Sequence, residues 1–100
     1  MVYQIIWAPR ALEDLRDIAS YIRRHNEDAA RSFGLKLIER AESLAAFPER
    51  GRMIHKFQDP AIREVFQGSY RIAYRIRKEL GQVEIARIWH GARNEETFNL

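Results

Sequence analysis

Cysteine is absent from the 100-residue sequence, which excludes both a disulfide framework and a thiolate metal site. Nothing in the chain calls for an oxidising compartment, and a cytoplasmic address is the expectation. No apolar run approaches the ~20 residues that a membrane-spanning helix needs. Met1 leads into a short apolar segment that stops before Pro9, without a basic leader. Secretion by a signal peptide and a membrane role are therefore not expected. There is no Gly-rich phosphate loop and no serine-nucleophile signature, and the three histidines, His25, His55 and His90, lack metal-ligand spacing. No metal and no cofactor are expected. Internal repeats, low-complexity runs and linkers are also missing.

What remains is a chain with 46% hydrophobic residues, enough for a single globular domain over residues 1–100. Its net charge of +3 is unevenly placed. Residues 1–47 carry seven basic and seven acidic side chains and cancel. Between Arg50 and Arg93, ten basic residues face four acidic ones, a local excess of six. Eight of those ten are arginine, whose planar fork suits phosphate and carboxylate partners. An acidic partner is implied.

Residues 3–7, β-branched and aromatic, read as a strand that ends at Ala8-Pro9. Pro9 opens an amphipathic helix with Leu12, Leu15, Ile18, Ala19 and Ile22 on its apolar stripe. Asn26 caps a second helix in which Ala30, Phe33, Leu37, Ala41 and Leu44 repeat with helical period until Phe47-Pro48. The short connection folds the two helices back as an antiparallel hairpin, whose apolar stripes need a common third surface. Ile62–Gln67 alternates, and Gly68-Ser69 suits a type II′ turn. Tyr70, Ile72, Tyr74 and Ile76 then alternate with Arg71, Ala73, Arg75 and Arg77, predicting a strand with one buried and one basic face. Val83–His90 is apolar on both faces, as in a strand inside a sheet. The reading is an α+β fold, a helical hairpin on a mostly antiparallel sheet. The connection through two helices allows the first strand to lie beside a later one.

Several of these blocks resemble the RelE/ParE superfamily of small toxins, and its ParE-like branch in particular. They are Trp7-Ala8-Pro9-Arg10-Ala11-Leu12-Glu13-Asp14-Leu15-Arg16-Asp17-Ile18-Ala19-Ser20-Tyr21-Ile22, Phe47-Pro48-Glu49-Arg50-Gly51-Arg52, Ile62-Arg63-Glu64, Tyr70-Arg71-Ile72-Ala73-Tyr74-Arg75-Ile76, and Ile85-Ala86-Arg87-Ile88-Trp89-His90-Gly91-Ala92-Arg93. They occur in the family's order across nearly the whole chain. The resemblance implies the RelE/ParE fold and a toxin of a type II toxin–antitoxin system, of the kind called plasmid stabilisation proteins. It also implies a cognate antitoxin, with a toxin–antitoxin hetero-oligomer as the assembly.

Two targets follow from the two branches. ParE-type toxins bind DNA gyrase and need a surface rather than a catalytic constellation. Here that surface is expected at Arg87, His90, Arg93 and the tail. RelE-type toxins cut messenger RNA on the ribosome, which requires a base, an acid and arginines held together around a phosphate. The candidates for that chemistry are His90, Glu64, Arg63, Arg71 and Arg75, with Arg63 expected to join Arg71 and Arg75 on one sheet face. Gly91 follows His90 and no tyrosine occurs after Tyr74, a departure from the RelE nuclease pattern. The gyrase reading is preferred, the mRNA endoribonuclease is its alternative, and a binding or regulatory module that keeps the fold is a third. An acidic, partly disordered antitoxin tail is expected to meet apolar grooves around Phe33, Leu37 and Leu44, together with Arg71 and Arg75 on the sheet.

Overall fold

The computed structural model describes residues 2–91 and 99–100. Strand β1 (Gln4–Trp7) is followed by helices α1 (Pro9–Arg23) and α2 (Glu27–Glu42). Four further strands complete the fold: β2 (Arg52–Met53), β3 (Ile62–Gln67), β4 (Tyr70–Arg77) and β5 (Gln82–His90). Pro9 occupies the first turn of α1, where its missing N–H costs nothing. Asn26 caps α2 by accepting the Ala29 amide at 3.0 Å, and Glu27 and Asp28 sit at the positive end of the helix dipole.

The sheet runs β1-β5-β4-β3-β2. β1 lies parallel to β5, and every other pairing is antiparallel. The two helices lie on one side of this sheet. Gly68, at φ 59°, makes the two-residue turn between β3 and β4, the left-handed first position that a II′ turn requires. β2, two residues long, was not expected from the sequence.

The main core lies between helices and sheet. Ala11 of α1, Leu37 and Ala41 of α2, and Leu44 just beyond it meet Val65, Ile72, Tyr74, Val83, Ile85 and Ile88. Tyr70 and Ile76 pack against the same cluster, so the apolar side of β4 faces the helices as its alternation requires. In α1 the inward stripe is Ala11, Leu15 and Ile18, and Leu12 stands 37% exposed outside it. β5 contains a bulge: Tyr74 pairs with Ile85 while Ala73 pairs with Arg87, leaving Ala86 without a partner position. That extra residue reverses the alternation of β5, so Val83 and Ile85 before it and Ile88 after it all reach the helix-side core.

One core side chain also organises the loop before β2. The Tyr74 hydroxyl donates to the Pro48 carbonyl at 2.6 Å and accepts from the Gly51 amide at 2.9 Å. Burial pushes this phenol above its ordinary pKa of 10.0, against the opposing pull of the Gly51 amide and of Arg63, Arg40 and Arg50. The unfolded chain therefore gives up this proton first as pH rises. The contribution to stability is complete below pH 10.0 and declines above it. Tyr74→Phe is expected to flatten the alkaline fall in the urea midpoint. An unchanged alkaline slope would assign that fall to other groups.

Candidate functional site

The strand register assigns the sequence-predicted residues to two opposite sides of the sheet. Ile62, Glu64 and Phe66 of β3 pair with Arg75, Ala73 and Arg71 of β4, and these six share the helix-free side. Arg63 pairs with Tyr74 and therefore lies on the helix side. The expectation that Arg63 joins Arg71 and Arg75 is corrected by this register. The Arg63 guanidinium instead binds backbone, donating to the carbonyls of Pro60 at 2.8 Å, Gly51 at 2.9 Å and Glu49 at 3.4 Å.

His90 also belongs to the helix side. It pairs with Tyr70, their rings meet edge-on at 5.3 Å, and Tyr70 in turn packs on Phe33 at 5.0 Å. With Asp17, Ile18 and Tyr21 of α1, His90 and Tyr70 line a cleft of about 390 Å³ at the open end of the sheet. His90 is solvent-exposed at its mouth.

The helix-free side is ionic but largely self-neutralised. Glu64, 3% exposed, accepts from Arg52 at 2.8 Å and from Arg71 at 3.4 Å. Glu84 accepts from Arg75 at 3.3 Å and from Arg77 at 3.2 Å. Four guanidinium groups thus share two carboxylates, and the side keeps a net positive charge. Arg71 is fixed further, with its guanidinium carbon 5.3 Å from the Phe66 ring centre and 5.6 Å from that of Trp89. The picture of a side lined by arginine alone is incomplete, because Ile54, Ile62, Ala73 and Trp89 form a second apolar cluster within it.

Arg87 is placed differently from expectation. β1 ends at Trp7, which pairs with Ile85, so among the described residues β5 beyond that point has no neighbouring strand on this edge. Asp14 of α1 covers the gap. Its Oδ2 accepts from the Ile88 amide at 2.9 Å and from Arg87 Nε at 2.8 Å, and its Oδ1 from Arg87 Nη2 at 3.4 Å. Both side chains are 13% exposed, so Arg87 ties α1 to β5 and presents little surface to a target. Arg93, the third expected target contact, lies outside the described residues.

The grooves expected around Leu37 and Leu44 are likewise corrected. Both residues are 0% exposed because the protein's own sheet fills the space beneath the helices. Phe33 is half-buried against Tyr70. The exposed large apolar residues of α2 are Leu35, at 64%, and Ile38, at 41%, on its outer face. Sequence reading also passed over Asp14, although its spacing from Ala11 and Ile18 places a carboxylate on the inward stripe of α1. An acidic residue there signals an internal cation or amide partner. Among the described residues no three His, Asp or Glu side chains come together to hold a metal ion, and no helix is long and apolar enough to cross a membrane.

Comparison with known proteins agrees with this architecture. The family model described as ParE toxin of the type II toxin–antitoxin system parDE matches residues 5–95. The chain is 41% identical over 91 residues to Toxin RelE2 of Caulobacter vibrioides, covering 90% of this chain and 97% of that one. Its fold is similar to that of a chain from the chromosomal ParDE system of P. aeruginosa, with a TM-score of 0.72, 17% identity, and coverage of 89% and 96%. It is also similar to a chain of the RelBE2 toxin–antitoxin complex of Mycobacterium tuberculosis, with a TM-score of 0.60, 24% identity, and coverage of 90% and 99%. A hairpin of two helices on a five-stranded, mostly antiparallel sheet, matched along almost its whole length by that family model, makes this chain a member of the ParE toxin family of type II toxin–antitoxin systems.

Proposed function

We propose that this toxin inhibits DNA gyrase by binding, without cutting RNA, and that a cognate antitoxin neutralises it. The observation that carries this reading is the split of the candidate nuclease residues. Glu64, Arg71 and Arg75 lie on the helix-free side, whereas Arg63 and His90 lie on the helix side. Phosphodiester cleavage needs its base, acid and arginines around one phosphate. Here a β-sheet stands between the two sets, and Glu64 is engaged by two arginines rather than poised as a free base. A binding mode makes no such demand. Within it, His90 and the tail with Arg93 form the target contact, and Arg87 supports them from behind through Asp14.

The similar chains come from a chromosomal ParDE system and a RelBE2 toxin–antitoxin complex, which supports a hetero-oligomer for this chain as well. An acidic antitoxin tail fits the surplus of guanidinium groups around Arg71 and Arg75. Its apolar side chains fit Phe33 and the outer face of α2 at Leu35 and Ile38, in place of Leu37 and Leu44. Gyrase inhibition also places the toxin in the cytoplasm.

Purified chain added to gyrase, ATP and relaxed plasmid is expected to accumulate cleaved plasmid once protein is stripped away. Supercoiling at the uninhibited rate, with no cleaved plasmid, would overturn the proposal. The name of the Caulobacter relative favours the ribosome-dependent endoribonuclease as the second reading.

A further inference from the structure

The arginines of the helix-free side are matched by carboxylates, but a group of cations at the end of α2 is not. Arg52, Arg71, Arg75, Arg77 and Arg87 each face Glu64, Glu84 or Asp14. Lys36, Arg40 and Arg50 have no carboxylate at ion-pair distance among the described residues, yet all three line one surface depression of about 290 Å³. Lys36 and Arg40 stand four residues apart on α2 and so share a face. Arg40 Nε donates to the Phe66 carbonyl at 3.2 Å, which fixes this guanidinium between α2 and the end of β3. Its two terminal nitrogens have no protein partner among the described residues. Arg50 arrives from a third segment, the single turn of helix Pro48–Arg50, which Tyr74 anchors through the Pro48 carbonyl and the Gly51 amide.

Arg50 also borders a second depression, shared with Tyr3, Phe47 and Pro48. The Phe47 ring is 62% exposed, with the Arg50 guanidinium carbon 5.5 Å from its centre. A cationic recess and an uncovered aromatic thus adjoin across one arginine. The negative end of the α2 dipole accounts for Arg40 in the last helical turn. It accounts for neither Arg50 nor the bare phenylalanine beside it.

We propose that the two depressions form one site for a nucleoside polyphosphate. The phosphates lie among Lys36, Arg40 and Arg50, whose guanidinium forks donate to two oxygens at once, and the base stacks on Phe47. Three cations without a counter-charge suit a ligand with more than one phosphate. Glu39 borders the first depression and Glu49 the second, and both are exposed. A continuous polyanion running past would meet these carboxylates, so the occupant is a compact nucleotide and not a nucleic-acid strand. The site goes beyond gyrase inhibition and does not depend on it.

Calorimetric titration of the purified chain with ADP at low salt tests the site. ADP is expected to bind saturably at millimolar concentration, and Arg50→Ala to weaken it about tenfold, the worth of one charge-assisted contact. Phe47→Ala is expected to weaken ADP about tenfold while leaving the weaker binding of inorganic pyrophosphate unchanged. Both side chains are exposed, so neither substitution disturbs the core, which the urea midpoint checks. Lys78→Ala, which removes a cation outside the site, is expected to leave ADP binding unaltered. Absence of saturable binding, full affinity in Arg50→Ala, or an equal loss in Lys78→Ala would each overturn the proposal. So would tighter binding of a single-stranded thymidine oligonucleotide than of ADP.

Discussion

Asp14→Ala is expected to lower stability by about 3–5 kcal/mol, the usual cost of removing one partner from a buried ion pair. The pair is well placed for that. Its two side chains are each 13% exposed, and Arg87 grips both carboxylate oxygens. Alanine removes the carboxylate that accepts from two nitrogens of this guanidinium. It also strips the acceptor from the Ile88 amide, on the stretch of β5 that β1 does not reach. An uncovered strand edge is a template for pairing with another chain, so the variant is also expected to self-associate more readily. The urea midpoint reports the first effect, provided the slope of the transition is unchanged. A loss below ~1 kcal/mol, the worth of an exposed pair, would show that Asp14 is not what holds Arg87.

Gly51→Ala is expected to cost about 3 kcal/mol, through overpacking and the loss of hydrogen bonds. The cause is space. The backbone of Gly51 is ordinary extended chain, φ −73° and ψ 161°, which any residue adopts. A Cβ there would stand 2.4 Å from the Tyr74 hydroxyl oxygen and 2.6 Å from the Glu64 carbonyl oxygen, closer than atoms approach. The loop must move away, and the Gly51 amide then loses its bond to Tyr74. A double-mutant cycle identifies this cause. Tyr74→Phe removes the nearest obstructing atom, so the double variant is expected to lose clearly less stability than the two single losses added together. Because the Glu64 carbonyl stays in place, the rescue is partial. Strict additivity would mean that Gly51 and Tyr74 do not meet.

The elements of this fold were legible in the sequence because most of its patterns are local. Period two in Tyr70–Arg77, period 3.6 in Ala30–Leu44, Pro9 at a helix start and Gly68-Ser69 between two strands each depend on neighbours within a few residues. The structure retains all of them. Arg63 was misplaced because strand register, a non-local property, decides which side of the sheet a residue of β3 shares with β4. The bulge at Ala86 has no sequence mark beyond a run of apolar residues on both strand faces. That run read as two-sided burial, which Trp89 on one side and Val83, Ile85 and Ile88 on the other bear out, but it hides the reversal of alternation.

The candidate site was less legible than the fold. An arginine count shows an excess but not the carboxylate each arginine faces, and Glu64 and Glu84 together occupy four of them. Leu37 and Leu44 were correctly placed on the apolar stripe, but a stripe does not say whether the chain's own sheet or a partner covers it. The Asp14–Arg87 pair joins residues 73 positions apart, beyond the reach of any local pattern.

The proposed gyrase binding needs a surface and no assembled RNA-cutting site. Translating ribosomes programmed with end-labelled message, mixed with an amount of purified chain that traps gyrase, test it most directly. The message is expected to stay full-length. Message cut within the ribosome, with cutting lost in His90→Ala, would contradict it and identify the protein as a nuclease.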